Sequence, residues 1–195
     1  MRKSEIKRKT TETEIQLSLN LDGRGTYEIH TDCGFFNHML ELFTRHGRFD
    51  LKLQCKGDSH VDFHHTVEDV GIALGQAVKA ALGDKKGIVR YGSMMLPMDE
   101  ALVLTSLDIS GRATLAYGLT IPASTVGAFD TELAEEFMMA FSRELGLTLH
   151  FVQFAGSNSH HIIEAAFKGL GRALAKAVAI DEQYKEEIPS TKGVI

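Results

Sequence analysis

The chain has 195 residues, of which 44% are hydrophobic and 24% charged, so it can hold one large domain or two small ones with a core. It has no apolar run near the ~18 residues of a membrane span and no signal-peptide core, so we expect a cytoplasmic protein without membrane contact. The net charge of −5 argues against a nucleic-acid partner, and the two cysteines, Cys33 and Cys55, are too few for a disulfide scaffold.

The first half of the chain predicts two strands, a helix, a third strand and a second helix. The strands alternate apolar and polar residues, and the helices repeat apolar residues at the helical period. Asp22-Gly23 marks a hairpin turn between the first two strands, Gly47 ends the first helix, and Asp62 is a candidate cap of the second. The elements cover 14–21, 26–31, 35–45, 51–53 and 64–82.

The second half repeats this order of elements. Ser110-Gly111 marks the hairpin turn, Gly146 ends the first helix, and Asn158 is the candidate cap. Two half-domains, 1–90 and 91–195, with helices covering one face of each sheet, would make an α+β protein with pseudo-twofold symmetry. The predicted elements cover 101–107, 113–119, 131–145, 147–149 and 160–178.

The last helix of each half carries the motif His-His-x-x-Glu. Residues four apart share one helix face, so the first histidine and the glutamate can chelate one ion, while the second histidine points about 100° away. Each motif could therefore serve two ions. The residues are His64, His65 and Glu68 in the first half, and His160, His161 and Glu164 in the second.

The duplication extends along the helices that carry these motifs. At an offset of 96, the segments 64–82 and 160–178 are identical at seven of 19 positions. The alternatives are chance similarity between two alanine-rich amphipathic helices, and surface or capping histidines that bind no metal. Two copies of the motif at equivalent positions favour a duplication and a metal site over both.

The ligand types predict the kind of ion. Imidazoles and carboxylates without thiolates suit manganese, iron, cobalt, nickel or zinc. His38, near the start of a predicted helix, and His150, directly after a predicted strand, are candidates to join the motifs. Each of two ions would then have four ligands, leaving about two of six octahedral positions open. Open positions predict catalysis and not a closed structural site.

Further short motifs lie along the chain before, between and after the two histidine motifs. The two longest are 61–71 and 156–168, which contain the histidine motifs. The others are Asp22-Gly23-x-Gly25, Phe35-Phe36-x-His38-Met39-Leu40, Arg90-Tyr91-Gly92, Pro97-Met98-Asp99-Glu100, Asp108-x-Ser110-Gly111-Arg112 and Ser190-Thr191-Lys192-Gly193. Together they resemble the imidazoleglycerol-phosphate dehydratase family of histidine biosynthesis over nearly the whole chain. Asn37 stands where that family has an aspartate beside His38.

The resemblance implies a fold and a reaction. The family fold is a tandem duplication of a half-domain like domain 2 of ribosomal protein S5, with helices sandwiched between two four-stranded sheets. The family enzyme, with two Mn²⁺ ions per active site, removes water from imidazole glycerol phosphate to give imidazole acetol phosphate. The C–H that must break has no adjacent carbonyl to make it acidic. A metal-stabilised imidazolate would expel hydroxide, and the resulting diazafulvene would acidify that C–H.

The resemblance also implies roles for individual residues. Glu12 would be the general base, with Glu164 and His65 as further catalytic residues. Without the resemblance, Glu12 would be a solvated charge at the head of a strand. The metal ligands would be His38, His64, His65, Glu68, His150, His160, His161 and Glu164, and the phosphate ligands Arg90, Arg112, Lys168, Ser190 and Lys192. Asp99 and Glu100 match the family in either a catalytic or a structural role.

The family assembly would be a shell of 24 subunits with active sites at subunit interfaces, so the expected partners are the substrate and further copies of the chain. Three other classes fit part of the pattern. A metal-storage or metal-sensing protein would need the histidines but not Arg90, Arg112 and Lys192. An RNA-binding module would need a basic face, and a two-metal phosphoesterase usually relies on more carboxylates.

Overall fold

The computed structural model describes residues 2–195, and Met1, the first residue of the predicted first half, lies outside them. Both halves follow the order strand, strand, strand, helix, strand, helix, and the second half adds two short strands before its first helix. The first contains β1 (Lys3–Lys9), β2 (Thr13–Asn20), β3 (Tyr27–His30), α1 (Gly34–Gly47), β4 (Asp50–Gly57) and α2 (His64–Leu82). The second contains β5 (Tyr91–Met98), β6 (Ala101–Asp108), β7 (Thr114–Gly118), β8 (Thr125–Val126), β9 (Phe129–Asp130), α3 (Glu132–Leu145), β10 (Thr148–Ala155) and α4 (Ser159–Val178).

Each half builds a four-stranded sheet, with strand orders β1-β2-β4-β3 and β5-β6-β10-β7. The third strand of each half, β3 or β7, pairs in parallel with the strand that follows the first helix. The other pairs in these two sheets are antiparallel. The predicted α+β class is confirmed. The short β8–β9 ribbon before α3 occurs in the second half and has no counterpart among the described residues of the first.

The predicted hairpin turns are wrong, because β2 and β3 are not neighbours in the sheet. The Asp22-Gly23 turn instead crosses the start of β4, where a β-carbon on Gly23 would lie 2.4 Å from the backbone nitrogen of Asp50. The Asp50 carboxylate accepts hydrogen bonds from the backbone nitrogens of Arg24 (2.9 Å) and Thr26 (3.1 Å). Burial raises the pKa of Asp50, but these bonds outweigh it and lower the pKa to about 2. The Ser110-Gly111 turn likewise leads to β7, which is not a neighbour of β6.

Four strands were not predicted: β1, β5, β8 and β9. In β1 the exposed positions are polar and the inner ones only half-buried, as expected for a strand at a sheet edge. Its weak alternation therefore resembles a basic, solvated N-terminus. β5 begins at Tyr91, and the division of the chain into 1–90 and 91–195 stays a prediction.

The helices form the layer between the two sheets. α2 packs on β1 and β2 of the first sheet, and α4 on β5 and β6 of the second, while the helices also pack on each other across the halves, α1 on α4 and α2 on α3. Aromatic side chains fill this layer: Phe36, Phe43, Phe137, Phe141 and Phe167 are fully buried. None of the helices within residues 2–195 has the length and apolar character needed to span a bilayer.

Glycines allow the close approach of the helices from different halves. A β-carbon on Gly75 in α2 would lie 2.8 Å from the carbonyl oxygen of Phe141 in α3. The equivalent glycine of α4, Gly171, would bring a β-carbon within 2.4 Å of the carbonyl oxygen of Phe43 in α1. These glycines are identical in the two repeats because backbone meets backbone at both crossings.

We expect Gly171→Ala to lower the free energy of unfolding by about 1–3 kcal/mol, because the added methyl overpacks the α1–α4 crossing. Gly34→Ala is the matched control, since a β-carbon on Gly34 meets nothing within 4 Å. Urea unfolding at one protein concentration measures both. Alanine is favoured over glycine in a helix by up to about 1 kcal/mol, so the loss is measured relative to Gly34→Ala, and equal stabilities of the two variants would contradict the packing argument.

Candidate metal centre

The first cluster consists of His38, His160 and Glu164, and it joins α1 of the first half to α4 of the second. Each residue offers one ligand atom, and these atoms lie within 4.8 Å of one another. The Nε2 atoms of His160 and His38 lie 3.1 and 3.9 Å from Oε2 of Glu164. As the i, i+4 spacing predicts, His160 and Glu164 share one face of α4.

A cation already lies beside the carboxylate of the first cluster. The side chain of Glu164 is 8% exposed, and its Oε1 atom pairs with the ammonium group of Lys168. Burial raises the pKa of Glu164, but Lys168 and the ring of His160 outweigh it and hold the pKa below its usual value. The carboxylate is therefore ionised at neutral pH and placed to attract a positive ion.

The second cluster consists of His64, Glu68 and Glu136, and it joins α2 of the first half to α3 of the second. Its three ligand atoms also lie within 4.8 Å of one another, and all three residues are half-buried. Glu68 also pairs with Arg143, at 3.5 Å between Oε1 and Nη2. Each histidine motif thus forms a cluster with one residue from the first helix of the other half.

Glu136 was not predicted. It is the fifth residue of α3, as His38 is the fifth residue of α1. Each is followed by two buried apolar residues, so the two positions are equivalent in the repeat. Aligning the first helices of the two halves would have found Glu136, whereas a search for a second histidine could not.

The prediction that His150 joins the metal site has no support in the fold of a single chain. Its neighbours in β10, Leu149 and Phe151, are buried against the helices, so the pleat turns His150 to the exposed outer face of the second sheet. There it lies in register with Ser106 of β6 and Ala116 of β7. Among the residues that the structure describes, neither cluster includes it.

The second histidine of each motif points away from its own cluster, as the spacing predicts. In the first half, Nδ1 of His65 lies 2.9 Å from Asp58, and Nε2 lies 3.7 Å from Glu12. The hydrogen bond to Asp58 is the main cause that raises the pKa of His65. The ring is therefore held between two carboxylates.

The second half repeats this arrangement with different residues. Nδ1 of His161 lies 2.7 Å from Glu100, and Nε2 lies 3.7 Å from Asp99. The hydrogen bond between His161 and Glu100 raises the pKa of the histidine and is the main cause that lowers the pKa of the glutamate to about 2. Glu100 and Asp99 thus contact a predicted ligand.

Glu12, the predicted base, lies in the turn between β1 and β2, and its side chain makes no hydrogen bond with any of residues 2–195. The hairpin is anchored to α2 because Arg8 and Thr13 both donate hydrogen bonds to Asp69, whose side chain is only 7% exposed. This buried contact holds Glu12 next to His65. Its carboxylate stays free and half-exposed.

The predicted phosphate ligands are divided between the first cluster and the C-terminal end of helix α4. Lys168 lies beside the first cluster. Arg90 lies at the far end of α4, where its backbone nitrogen donates to the carbonyl oxygen of Ala177 at 2.8 Å. At ~1.5 Å of rise per residue, this end of α4 is about 25 Å from His160. Arg90 also donates to Asp108, at 2.7 and 3.1 Å.

The remaining phosphate candidates lie at the Arg90 end. Arg90 donates through Nη1 to the carbonyl oxygen of Pro189, at 2.7 Å, which places Ser190 and Lys192 nearby. The end of the tail lies close to Gly111, the neighbour of Arg112. The C-terminal end of α4 is therefore surrounded by a basic group of residues, here called the basic end, which is separate from the first cluster. The basic end consists of Arg90, Arg112, Ser190 and Lys192.

The side-chain hydrogen bonds of Asn37 go to Thr31 and not to His38. Its Oδ1 atom accepts hydrogen bonds from the backbone nitrogen of Thr31 (2.8 Å) and from its hydroxyl (2.6 Å), and its Nδ2 atom donates to the Thr31 carbonyl (3.2 Å). An ionised aspartate could not make the last of these bonds. Asn37 therefore fixes the loop that leads into α1.

Asn158 and Asp62 accept hydrogen bonds from backbone N–H groups at the N-termini of the helices that carry the motifs. Asn158 caps α4 by accepting a hydrogen bond from the backbone nitrogen of His161, at 3.2 Å. Asp62 accepts from the backbone nitrogen of His64, at 2.8 Å, although the residue in the cap position of α2 is Phe63. The predicted cap is thus correct in the second half and displaced by one residue in the first.

The donor set suits the ions predicted from the sequence. Both clusters contain nitrogen and carboxylate oxygen donors. Cys33 and Cys55 are free and buried, and burial raises the pKa of the Cys55 thiol to about 12. Neither cysteine lies in a cluster within residues 2–195, so the donor sets fit manganese and its neighbours in the series.

Comparison with known proteins identifies the family. The model of the family "Imidazoleglycerol-phosphate dehydratase" matches residues 31–174, which include both clusters. The chain belongs to the imidazoleglycerol-phosphate dehydratase family. The imidazoleglycerol-phosphate dehydratases of Thermoanaerobacter pseudethanolicus and Azorhizobium caulinodans are 59% and 55% identical to it over 195 residues. The alignments cover all of this chain, and 100% and 99% of those relatives.

Solved structures of the dehydratase family share the fold. The enzyme of Staphylococcus aureus matches with a TM-score of 0.84 at 40% identity, covering 92% of this chain and 99% of the other. The enzyme of Pyrococcus furiosus, solved in complex with (S)-C348, matches with a TM-score of 0.82 at 36% identity, covering 97% and 100%. Membership in the dehydratase family, predicted from the motifs, is confirmed.

We expect Glu136→Gln to weaken the binding of Mn²⁺, because the amide removes a charged ligand from the second cluster. Loss of one ligand should raise the dissociation constant at least as much as loss of an outer-shell partner, by about 10–100-fold. Titration against a fluorescent chelator measures it. The adjacent, exposed Glu135 provides the control, and equal affinities of Glu135→Gln and Glu136→Gln would show that Glu136 is not a ligand.

Proposed function

We propose that this chain is a cytoplasmic, Mn²⁺-dependent hydro-lyase that converts imidazole glycerol phosphate to imidazole acetol phosphate in histidine biosynthesis. The observation that supports it best is the pair of three-ligand clusters, each built on a duplicated motif, in a chain of the dehydratase family. Three protein ligands per cluster leave coordination positions open for a substrate that is itself an imidazole.

The residues that would hold two ions are those of the clusters, together with the second histidines. His38, His160 and Glu164 would hold one ion, and the cluster of His64, Glu68 and Glu136 the other. Bound Mn²⁺ would act as a Lewis acid toward the imidazole nitrogens of the substrate and as a template. His65 and His161 present Nε2 away from their own clusters, so they would complete the clusters of neighbouring copies.

Glu12 would act as the general base. Its carboxylate has no hydrogen bond to residues 2–195 and lies 3.7 Å from Nε2 of His65, on the accessible side of that ring. The substrate ring, as its anion, would expel hydroxide from the carbon next to it and form a diazafulvene. Glu12 would then remove the proton from the neighbouring carbon, and the resulting enol would tautomerise to the ketone. In this proposal His65 and Glu164 contribute to catalysis as metal ligands, which keep the imidazole ring of the substrate in place.

The active site would lie between copies of the chain. The substrate has three carbons between its ring and its phosphate, and at ~1.5 Å per bond it spans less than about 10 Å. Arg90 and the tail lie about 25 Å from His160 along α4. Ring and phosphate would therefore be bound by different subunits, which supports interfacial sites, and the shell of 24 subunits stays a prediction from the family resemblance.

Incubation with imidazole glycerol phosphate and Mn²⁺ tests the reaction directly, with the ketone as the product to be measured. Absence of the product from folded protein with Mn²⁺ bound would overturn the proposal. Turnover of a phosphate ester, with release of inorganic phosphate, would instead support a two-metal phosphoesterase.

Glu12→Gln should lower kcat by about 10²–10⁴-fold, because the amide cannot accept the proton. Its Mn²⁺ content should equal that of the parent, since Glu12 belongs to neither cluster. Glu14→Gln is the control, because Glu14 pairs with Lys9 at the surface. Loss of metal from Glu12→Gln would assign Glu12 to the coordination sphere and not to proton transfer.

Mixed oligomers should reveal a site shared between chains. Glu164→Gln and Lys192→Ala change the first cluster and the basic end, and each variant alone should have low activity. Co-expressed, they should regain part of the parental activity, because some interfaces will combine an intact Glu164 with an intact Lys192 from another chain. If the mixture is no more active than the separate variants, the two groups act within one chain.

A further inference from the structure

Both second histidines, His65 and His161, are held by a carboxylate in the same way. Each Nδ1 atom is hydrogen-bonded, to Asp58 at 2.9 Å and to Glu100 at 2.7 Å. Each Nε2 atom is free of hydrogen bonds to residues 2–195, with its nearest carboxylate at 3.7 Å. The same geometry has formed twice from different residues.

An ionised carboxylate can only accept a hydrogen bond, so it requires the proton of a neutral imidazole to be on Nδ1. The lone pair is then on Nε2, which is the atom that a metal ion needs. We propose that Asp58 and Glu100 are positioning residues that fix this tautomer and ring orientation in His65 and His161. The proposal rests on the metal-binding role proposed above, since it concerns how two of the ligands are prepared.

The two halves use different residues for this task. Glu12 directly precedes β2 and Glu100 directly precedes β6, so they occupy equivalent turns. In the second half the turn glutamate itself holds the histidine. In the first half Asp58, from the loop between β4 and α2, takes over, and this leaves the Glu12 carboxylate without a hydrogen bond to the described residues.

Asp58 is placed for this one contact. Its Oδ1 atom is buried without a hydrogen-bond partner among residues 2–195, and only Oδ2 reaches His65. A buried unpaired oxygen costs about 1–3 kcal/mol. An aspartate that served stability alone would not be expected at such a position.

Glu100→Gln is designed to change the tautomer of His161 while keeping the hydrogen bonds that Glu100 makes to the backbone. Oε1 of Glu100 accepts hydrogen bonds from the backbone nitrogens of Ser157 (3.2 Å) and Asn158 (2.8 Å) at the start of α4. The amide oxygen of glutamine must take this place, so its NH₂ group faces Nδ1 of His161. That group can only donate, which moves the ring proton to Nε2.

We expect Glu100→Gln to remain folded, to bind Mn²⁺ about 10–100-fold more weakly, and to show His161 as the Nε2–H tautomer. Long-range ¹H–¹⁵N spectra of the metal-free, histidine-labelled protein report the tautomer, with His161→Asn assigning the signal. Glu28→Gln, at a surface pair with Lys52, is the control. A Glu100→Gln variant with the parental tautomer and affinity would overturn the proposal.

Asp58→Ala tests the first half independently. Without this carboxylate the ring proton of His65 should no longer be confined to Nδ1, and Mn²⁺ binding should weaken, again by about 10–100-fold. The tautomers are measured without metal, so they test the positioning proposal even if the parent binds no Mn²⁺. Failure of the parent to bind Mn²⁺ would instead overturn the metal-dependent function proposed above. Parental tautomers in both variants would show that the carboxylates do not position the rings.

Discussion

The close crossing of helices from opposite halves is the contact on which the site depends. At Gly75 and Gly171 the backbones of two helices meet with no room for a β-carbon. Because the last helix of each half crosses the first helix of the other, every histidine motif is brought to a residue from the opposite half. Neither half alone supplies all three members of either cluster.

The duplicated halves have diverged in their chemistry. The first cluster has two imidazoles and one carboxylate, with an ammonium group alongside, whereas the second has one imidazole and two carboxylates. The carboxylates also offset the helix N-termini, whose dipoles disfavour a cation. The same divergence appears in the supporting groups, where Asp58 in one half does what Glu100 does in the other.

Distances along the fold support the proposal that the site is shared between chains. The motifs lie at helix N-termini, and the basic end lies at the opposite end of α4, a separation of about 25 Å. A small phosphorylated substrate cannot bridge this gap. The free Nε2 atoms of His65 and His161 lead to the same conclusion, because they face away from the clusters of their own chain.

The sequence by itself determined the repeat, the family, the α+β class, and the pairing of each first histidine with its glutamate. These follow from local periodicity, since residues four apart share a helix face whatever surrounds them. Only the tertiary structure decided that the strand turns are crossovers, that Glu136 joins the cluster of His64 and Glu68 while His150 faces outward, and which carboxylates hold His65 and His161. Each of these depends on how separate elements pack, and in the case of Glu136 on packing between the two halves, and local periodicity carries no record of such packing.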